Sequence, residues 1–176
     1  MQNGAGNGGG GGDDERDPRL SRDGVYSSHL FTEDFTGGDS AEGSSLGGGA
    51  ARAAKKVLVV VLDMRRNKDP YVTPRWSNGF AAAGAGDFLG EAQWRWLNRT
   101  LHRSAAEGVR AHIFVSSLQL LPTGRERSAE CWMRFPAARQ RFFRLLAERG
   151  VAAPVVVSGD VHFGEVMASA PGCGRA

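Results

Sequence analysis

The sequence has no long apolar run and very little cysteine. Its longest apolar run, Val57–Leu62, has the length of a β-strand. A helix needs about 20 apolar residues to span a bilayer, so no membrane-spanning segment is expected. The two cysteines, Cys131 and Cys173, cannot form a disulfide framework, and neither belongs to a Cys-x-x-Cys zinc or redox pair. The glycine-rich start, Met1–Gly12, lacks the basic and apolar regions of a secretory signal, and the localisation stays open.

Glycine and charge divide the chain at about residue 50. The first 50 residues hold 14 of the 25 glycines and carry 3 Lys/Arg against 9 Asp/Glu, whereas the rest of the chain carries 19 against 10. A stretch so poor in apolar residues cannot offset the entropy lost on ordering. We therefore predict a disordered, Gly-rich and acidic tail at 1–22 and one domain at 23–170. Within that domain we expect a flexible Gly/Ser insertion at about 34–54, and after it a short truncated tail at 171–176.

The predicted domain alternates strands with two main helices. Apolar residues at helical spacing predict helices at Glu91–Ala106, capped by Asp87, and at Phe135–Arg149, ended by Gly150. Short β-branched or aromatic runs predict four strands, at 24–31, Val57–Leu62, Ala111–Val115 and Pro154–Val157. Strands and helices that alternate through short connections are typical of a mainly parallel sheet. The sequence thus predicts an α/β fold, with Val57–Leu62 in the middle of the sheet and buried on both faces.

The best candidate site is the loop Ser158–His162, directly after the last predicted strand. In such sheets ligands bind beyond the carboxyl ends of the strands. Gly159 allows a tight turn, after which Asp160 and His162 offer a carboxylate and an imidazole, two groups that bind metal ions. The alternative is that Asp160 caps the turn and His162 is a packed imidazole.

A second candidate is the loop after Val57–Leu62, where Asp63 and Arg65 lie at a strand end. The planar guanidinium of Arg65 suits phosphate oxygens. The alternative is an ion pair between Asp63 and Arg65 that fixes the loop.

The second predicted helix also has a basic side, formed by Arg134, Arg139, Arg141 and Arg144. Such a side can attract an anionic substrate or a nucleic acid, but more often it is only solvated. No exposed aromatic residues or recognition motif accompany it, so no nucleic-acid partner is expected.

Five segments in this order resemble the PhoD-like alkaline phosphatase branch of the metallophosphoesterases. They are Asp23–Ser28, Leu62–Pro70, Gly86–Leu97, Ser128–Arg139 and Ser158–Phe163. The chain departs from the family at Met64, where a Thr is usual, and at Arg66, where an aromatic residue is usual. The resemblance implies an α/β/β/α sandwich in which two mixed sheets pack face to face and helices cover both outer sides.

The resemblance also implies a phosphoric ester hydrolase that cleaves phosphate monoesters and diesters at a two-metal centre. In such a centre the cations neutralise phosphate oxygens and lower the pKa of a bound water, whose hydroxide attacks phosphorus. Carried over to this chain, Asp160 and His162 would be metal ligands and catalytic residues, and Arg65 would contact the phosphate. Asp and His suit zinc, iron or manganese, and the carboxylate also suits calcium, so the identity of the metal stays open.

Residues 1–56 match none of the earlier family motifs that supply most of the metal ligands, and the family continues beyond Phe163 into further strands. We therefore expect the carboxyl-side half of a phosphatase, inactive as an isolated fragment, with an apolar sheet face that associates with a missing complementary segment. Family members are often secreted or periplasmic. The alternative is a non-catalytic remnant or interaction module with a basic helix face.

Overall fold

The computed structural model of the chain describes residues 22–33, 54–71, 86–121, 130–159 and 162–168. The tails predicted at 1–22 and 171–176 and the insertion predicted at about 34–54 lie outside these residues, except for Arg22 and Ala54. Within the described part of the chain, no helix is both long and apolar enough to cross a membrane.

Four strands form one sheet in the order β1-β2-β3-β4. The strands are β1 (Ser27–Glu33), β2 (Lys55–Val61), β3 (Ala111–Ser116) and β4 (Pro154–Ser158). β1 pairs antiparallel with β2, whereas β2 with β3 and β3 with β4 pair in parallel. The prediction of a mainly parallel sheet with β2 in its interior is therefore confirmed.

Two helices connect the parallel strands. α1 (Gly90–Ala106) joins β2 to β3, and α2 (Pro136–Glu148) joins β3 to β4 after a 3-10 turn at Trp132–Arg134. The α/β class and both predicted helices are confirmed. Asp87 lies two residues before the N-cap position, Leu89, which has no side-chain cap bond of its own. The Oδ2 of Asp87 nevertheless accepts hydrogen bonds from the amide of Gly90, the first helical residue, at 2.7 Å and from Trp94 Nε1 at 2.8 Å.

Both helices pack on the same face of the sheet, which we call the inner face. The core contains Leu58 and Val60 of β2 and Phe114 of β3. The helices contribute large apolar side chains to this core, among them Trp94, Leu97, Leu101, Phe142, Leu145 and Leu146. Phe114 and Phe142 meet edge to face with their ring centres 5.3 Å apart. The predicted one-sidedness of α1 is confirmed, and the helices bury the inner face at β2 and β3.

The opposite, outer face of the sheet is apolar but not sealed by the described residues. Its side chains alternate with those of the inner face along each strand. They include Phe31, Val57, Val59, Val61, Ile113, Val115, Val155 and Val157, none of which belongs to the core or packs against it. The expected burial of β2 therefore holds for its inner face only. One sheet with one helix layer is half of the expected sandwich.

Candidate active site

The carboxyl ends of β2, β3 and β4 lie at the same edge of the sheet, because the three strands are parallel. A depression of about 590 Å³ opens at this edge. Its lining combines the loop after β2 with one residue from each of two neighbouring segments: Val25, Leu62, Asp63, Met64, Arg65, Arg66 and Ser117. The structure therefore brings two of the predicted residues, Asp63 and Arg65, to one concave site.

The buried carboxylate of Asp63 holds the backbone of this loop. Its Oδ1 accepts hydrogen bonds from the amides of Arg65 at 2.9 Å and Arg66 at 3.0 Å, and its Oδ2 accepts one from the Val25 amide at 2.9 Å. Burial raises the pKa of Asp63, but these three donors together outweigh it, so the pKa lies below its ordinary value. Asp63 thus fixes the loop, although it does so through the backbone amide of Arg65 rather than through the ion pair considered above.

The backbone conformation of Gly24 and the small space around it explain why a glycine follows Asp23 in the first of the five segments. Its φ of +132° is in a region that other residues avoid. A Cβ at this position would also lie 2.8 Å from Asp63 Oδ2. A side chain here would therefore push β1 away from the loop that contains Asp63.

Gln93 is a site residue that the sequence analysis missed. Its side chain is fully buried in α1, where Oε1 accepts from the Asp63 amide at 2.9 Å and Nε2 donates to the Asp63 carbonyl at 2.7 Å. These two bonds satisfy the backbone of Asp63 as a strand partner would. The available signal was a polar residue on the apolar stripe of α1, four residues before Leu97.

Arg65 extends from the loop and pairs with Glu130, with Nη1 2.6 Å from Oε2. Burial raises the pKa of Glu130, but the hydrogen bond and charge of Arg65, with smaller contributions from Tyr71 and Lys68, bring it below its ordinary value. Burial and the negative charge of Glu130 raise the pKa of Tyr71. Arg65 therefore remains about half exposed at the depression while one edge of its guanidinium is anchored.

Side chains at the carboxyl end of β3 form buried hydrogen bonds at the same edge of the sheet. Ser116 Oγ lies 2.7 Å from the Leu118 carbonyl and accepts from Trp132 Nε1 at 3.0 Å. Gln119 is buried, and its Nε2 donates weakly to Glu165 Oε2 at 3.4 Å. These contacts tie the 3-10 turn and the segment after β4 to the strand ends.

The loop after β4 belongs only in part to the described residues. Asp160 lies outside the described residues, and the structure therefore does not test its predicted role as a ligand. His162 is exposed and has a φ of +58°. Among the described residues, no group of three or more His, Cys, Asp or Glu side chains is arranged to hold a metal ion.

Comparison with known proteins decides the family. The sequence model of the PhoD-like phosphatase family matches residues 52–171, about two thirds of the chain. The chain belongs to this family. The solved structure of PhoD is similar to the chain with a TM-score of 0.48 and 21% sequence identity, over 60% of this chain and 22% of that one. The PhoD-like chain thus spans about a fifth of the length of PhoD, and a search of curated proteins gives no match.

The described residues of this PhoD-like chain do not form a metal site by themselves. A carboxylate and an imidazole are suitable donors, but a catalytic cation takes at least three protein ligands. Asp63 holds its own loop through three backbone hydrogen bonds, and it is not grouped with two further His, Cys, Asp or Glu side chains among the described residues. No hydrolytic step can therefore be assigned to these residues alone.

Proposed function

We propose that this chain is part of a metal-dependent phosphoesterase that hydrolyses phosphate monoesters and diesters. The observation that carries the proposal is the family match over residues 52–171, a stretch that includes Arg65, Asp160 and His162. Family membership makes phosphate ester hydrolysis the expected chemistry. The metal dependence and the roles of individual residues go beyond the family match, and we propose them in addition.

In this proposal Arg65 binds the phosphate group of the substrate. Its position at the rim of the 590 Å³ depression supports this role, as does its partial exposure. The contact with Glu130 limits the rotamers of Arg65, so less entropy is lost when a phosphate binds. Asp63 acts indirectly, because its bond to the Arg65 amide sets the direction in which that side chain leaves the loop.

Asp160 and His162 are the proposed metal ligands, and two ligands are too few for a catalytic centre. We therefore propose that the other ligands come from polypeptide outside the described residues and that the isolated chain has little or no activity. The test is hydrolysis of a chromogenic phosphodiester by the purified chain. Steady turnover that is abolished both by a chelator and by Asp160→Ala would contradict the proposed inactivity.

Metal binding can be tested separately from turnover, through the melting temperature. An ion that binds only the folded state raises the melting temperature. We expect calcium, iron, manganese or zinc to raise the melting temperature of the chain slightly, and Asp160→Ala and His162→Ala to remove the increase. His102→Ala, on the exposed side of α1, is the matched control and should keep it. If no metal changes the melting temperature, the proposed ligand roles are wrong.

The outer face of the sheet supports a further part of the proposal, namely that a complementary segment covers it. Phe31, Val155 and Val157 are each at least half exposed there. Apolar side chains that extend across four paired strands form a patch of the kind that marks an interface. A chain that spans about a fifth of PhoD leaves room for such a segment elsewhere in the domain.

A non-catalytic interaction module is the second candidate function, and the exposed arginines of α2, Arg141 and Arg144, favour it. The basic side predicted for this helix is smaller than expected, because Arg134 is buried in the 3-10 turn and Arg139 donates to the Leu120 carbonyl. This candidate predicts that no metal ion changes the melting temperature and that anionic ligands bind to the helix layer instead. The metal titration above therefore separates the two candidates without any measurement of activity.

A further inference from the structure

A second concave site lies on the helix layer, between the outer sides of α1 and α2. This groove has a volume of about 260 Å³ and shares no lining residue with the depression around Asp63. Four arginines contribute to its lining, namely Arg95, Arg141, Arg144 and Arg149, against one acidic residue, Glu148. The lining therefore carries three more positive than negative charges.

Two of these arginines are held in place by their neighbours. Arg141 pairs with both carboxylate oxygens of Glu91, and its guanidinium lies over the Trp94 ring, 4.6 Å from the ring centre. Arg149 Nε donates to Asn98 Oδ1 at 2.7 Å. Fixed guanidinium groups lose little conformational entropy when a ligand binds, so this part of the groove is preorganised.

The other two arginines are available for a ligand. Arg95 and Arg144 are exposed, and neither makes a hydrogen bond or an ion pair within the part of the chain that the structure describes. Their charges extend the positive potential of the groove on both helices. Glu148 lies on the α2 side and offsets only part of it.

We propose that this groove binds a small anion that carries several phosphate groups, such as a short oligophosphate. Guanidinium groups match phosphate oxygens in charge and in planar geometry. The volume is below the range of about 300–1,000 Å³ that is usual for drug-sized ligands, which favours a small ligand. Trp94 is nearly fully buried and offers no face on which a base could stack, which disfavours single-stranded nucleic acid.

This site is independent of the proposed hydrolysis, because it uses none of the residues at the strand ends. The test is calorimetric titration of the chain with tripolyphosphate at low salt. We expect Arg95→Gln combined with Arg144→Gln to weaken binding about tenfold or more, since hydrogen bonds to charged groups are the stronger ones. Arg99→Gln combined with Arg103→Gln is the matched control, with the same change of charge at exposed positions of α1 outside the groove. It should weaken binding less than about twofold, because long-range attraction is largely screened.

Replacement of Arg95 and Arg144 by Lys gives a second variant that keeps the charge but loses the planar fork. Its affinity should lie between those of the wild type and the Gln variant. Equal losses in the groove variant and the control, or no measurable binding of tripolyphosphate, would overturn the proposal. A single-stranded oligonucleotide serves as the other source of phosphate groups. If it binds through Arg95 and Arg144 while tripolyphosphate does not, the small-anion proposal is also wrong.

Discussion

The two faces of the sheet are built from equally apolar residues but have different surroundings. On the inner face, Val60 and Phe114 have no exposed surface because α1 and α2 cover them. On the outer face, their strand neighbours Val59 and Val115 stay partly accessible, and Val155 is 53% exposed. The inner face therefore accounts for the stability of the described residues, whereas the outer face contributes little to it and offers apolar surface on which association can be tested. A substitution should have a different consequence on each side.

Two consecutive residues of β3 lie on opposite faces of the sheet, so substitutions at these positions test the difference between the faces most directly. We expect Phe114→Ala to lower the free energy of unfolding by about 3–5 kcal/mol, because it opens a cavity against Phe142 in the core. Val115→Ala, one residue further along and on the outer face, should cost less than about 1 kcal/mol. Urea denaturation followed by far-UV circular dichroism measures both values. Similar losses for the two variants would mean that the outer face is already packed in solution.

The loop after β2 should be the next most sensitive region. Asp63→Ala removes the acceptor of three backbone amides, and we expect it to lower the free energy of unfolding by about 2–4 kcal/mol. Asp63→Asn keeps one carbonyl acceptor and should cost about half as much. Chemical denaturation of both variants provides the test. If Asp63→Ala were harmless, the amides of Arg65 and Arg66 would have to be solvated, and Asp63 would not be the residue that fixes the loop.

The charge of Asp63 also predicts how stability depends on pH. Its pKa is lowered on folding, so its charge stabilises the folded state above the unfolded pKa, and this contribution is lost as the pH falls through the folded pKa. We therefore expect the melting temperature to fall below about pH 4, the ordinary value for an aspartate. The decrease should be clearly smaller in Asp63→Asn and only slightly smaller in Glu91→Gln, because Arg141 lowers the pKa of Glu91 but this pair is exposed and screened. Identical pH profiles for Asp63→Asn and the wild type would show that other carboxylates cause the loss.

The α/β class, both helices and the interior position of β2 could be predicted from the sequence, because each depends on local spacing. Asp63 and Arg65 could be found because they follow a strand directly. Gln93 could not, because its role depends on how α1 lies across the end of β2, which is a tertiary contact. Glu130 could not be found either, because it pairs with Arg65 from 65 positions further along the chain.

Burial of β2 on both faces was predicted from its continuous apolar run, and the structure shows why such a run is ambiguous. The run indicates that both faces avoid water, but it does not say what covers them. On the inner face the covering helices lie within the same chain. On the outer face the described residues supply no such cover, and substitutions there should have the smallest effect on stability.

Val155→Thr combined with Val157→Thr tests that outer face directly. Thr keeps the β-branched shape, so the free energy of unfolding should change by no more than about 0.5 kcal/mol at these two exposed positions. Self-association, measured by sedimentation velocity, should nevertheless decrease, because the apolar patch is smaller. Val156→Thr in the same strand is the matched control, since Val156 packs against the core. It should lower stability and leave association unchanged, and the reverse pattern would show that β4 presents its other side to the helices.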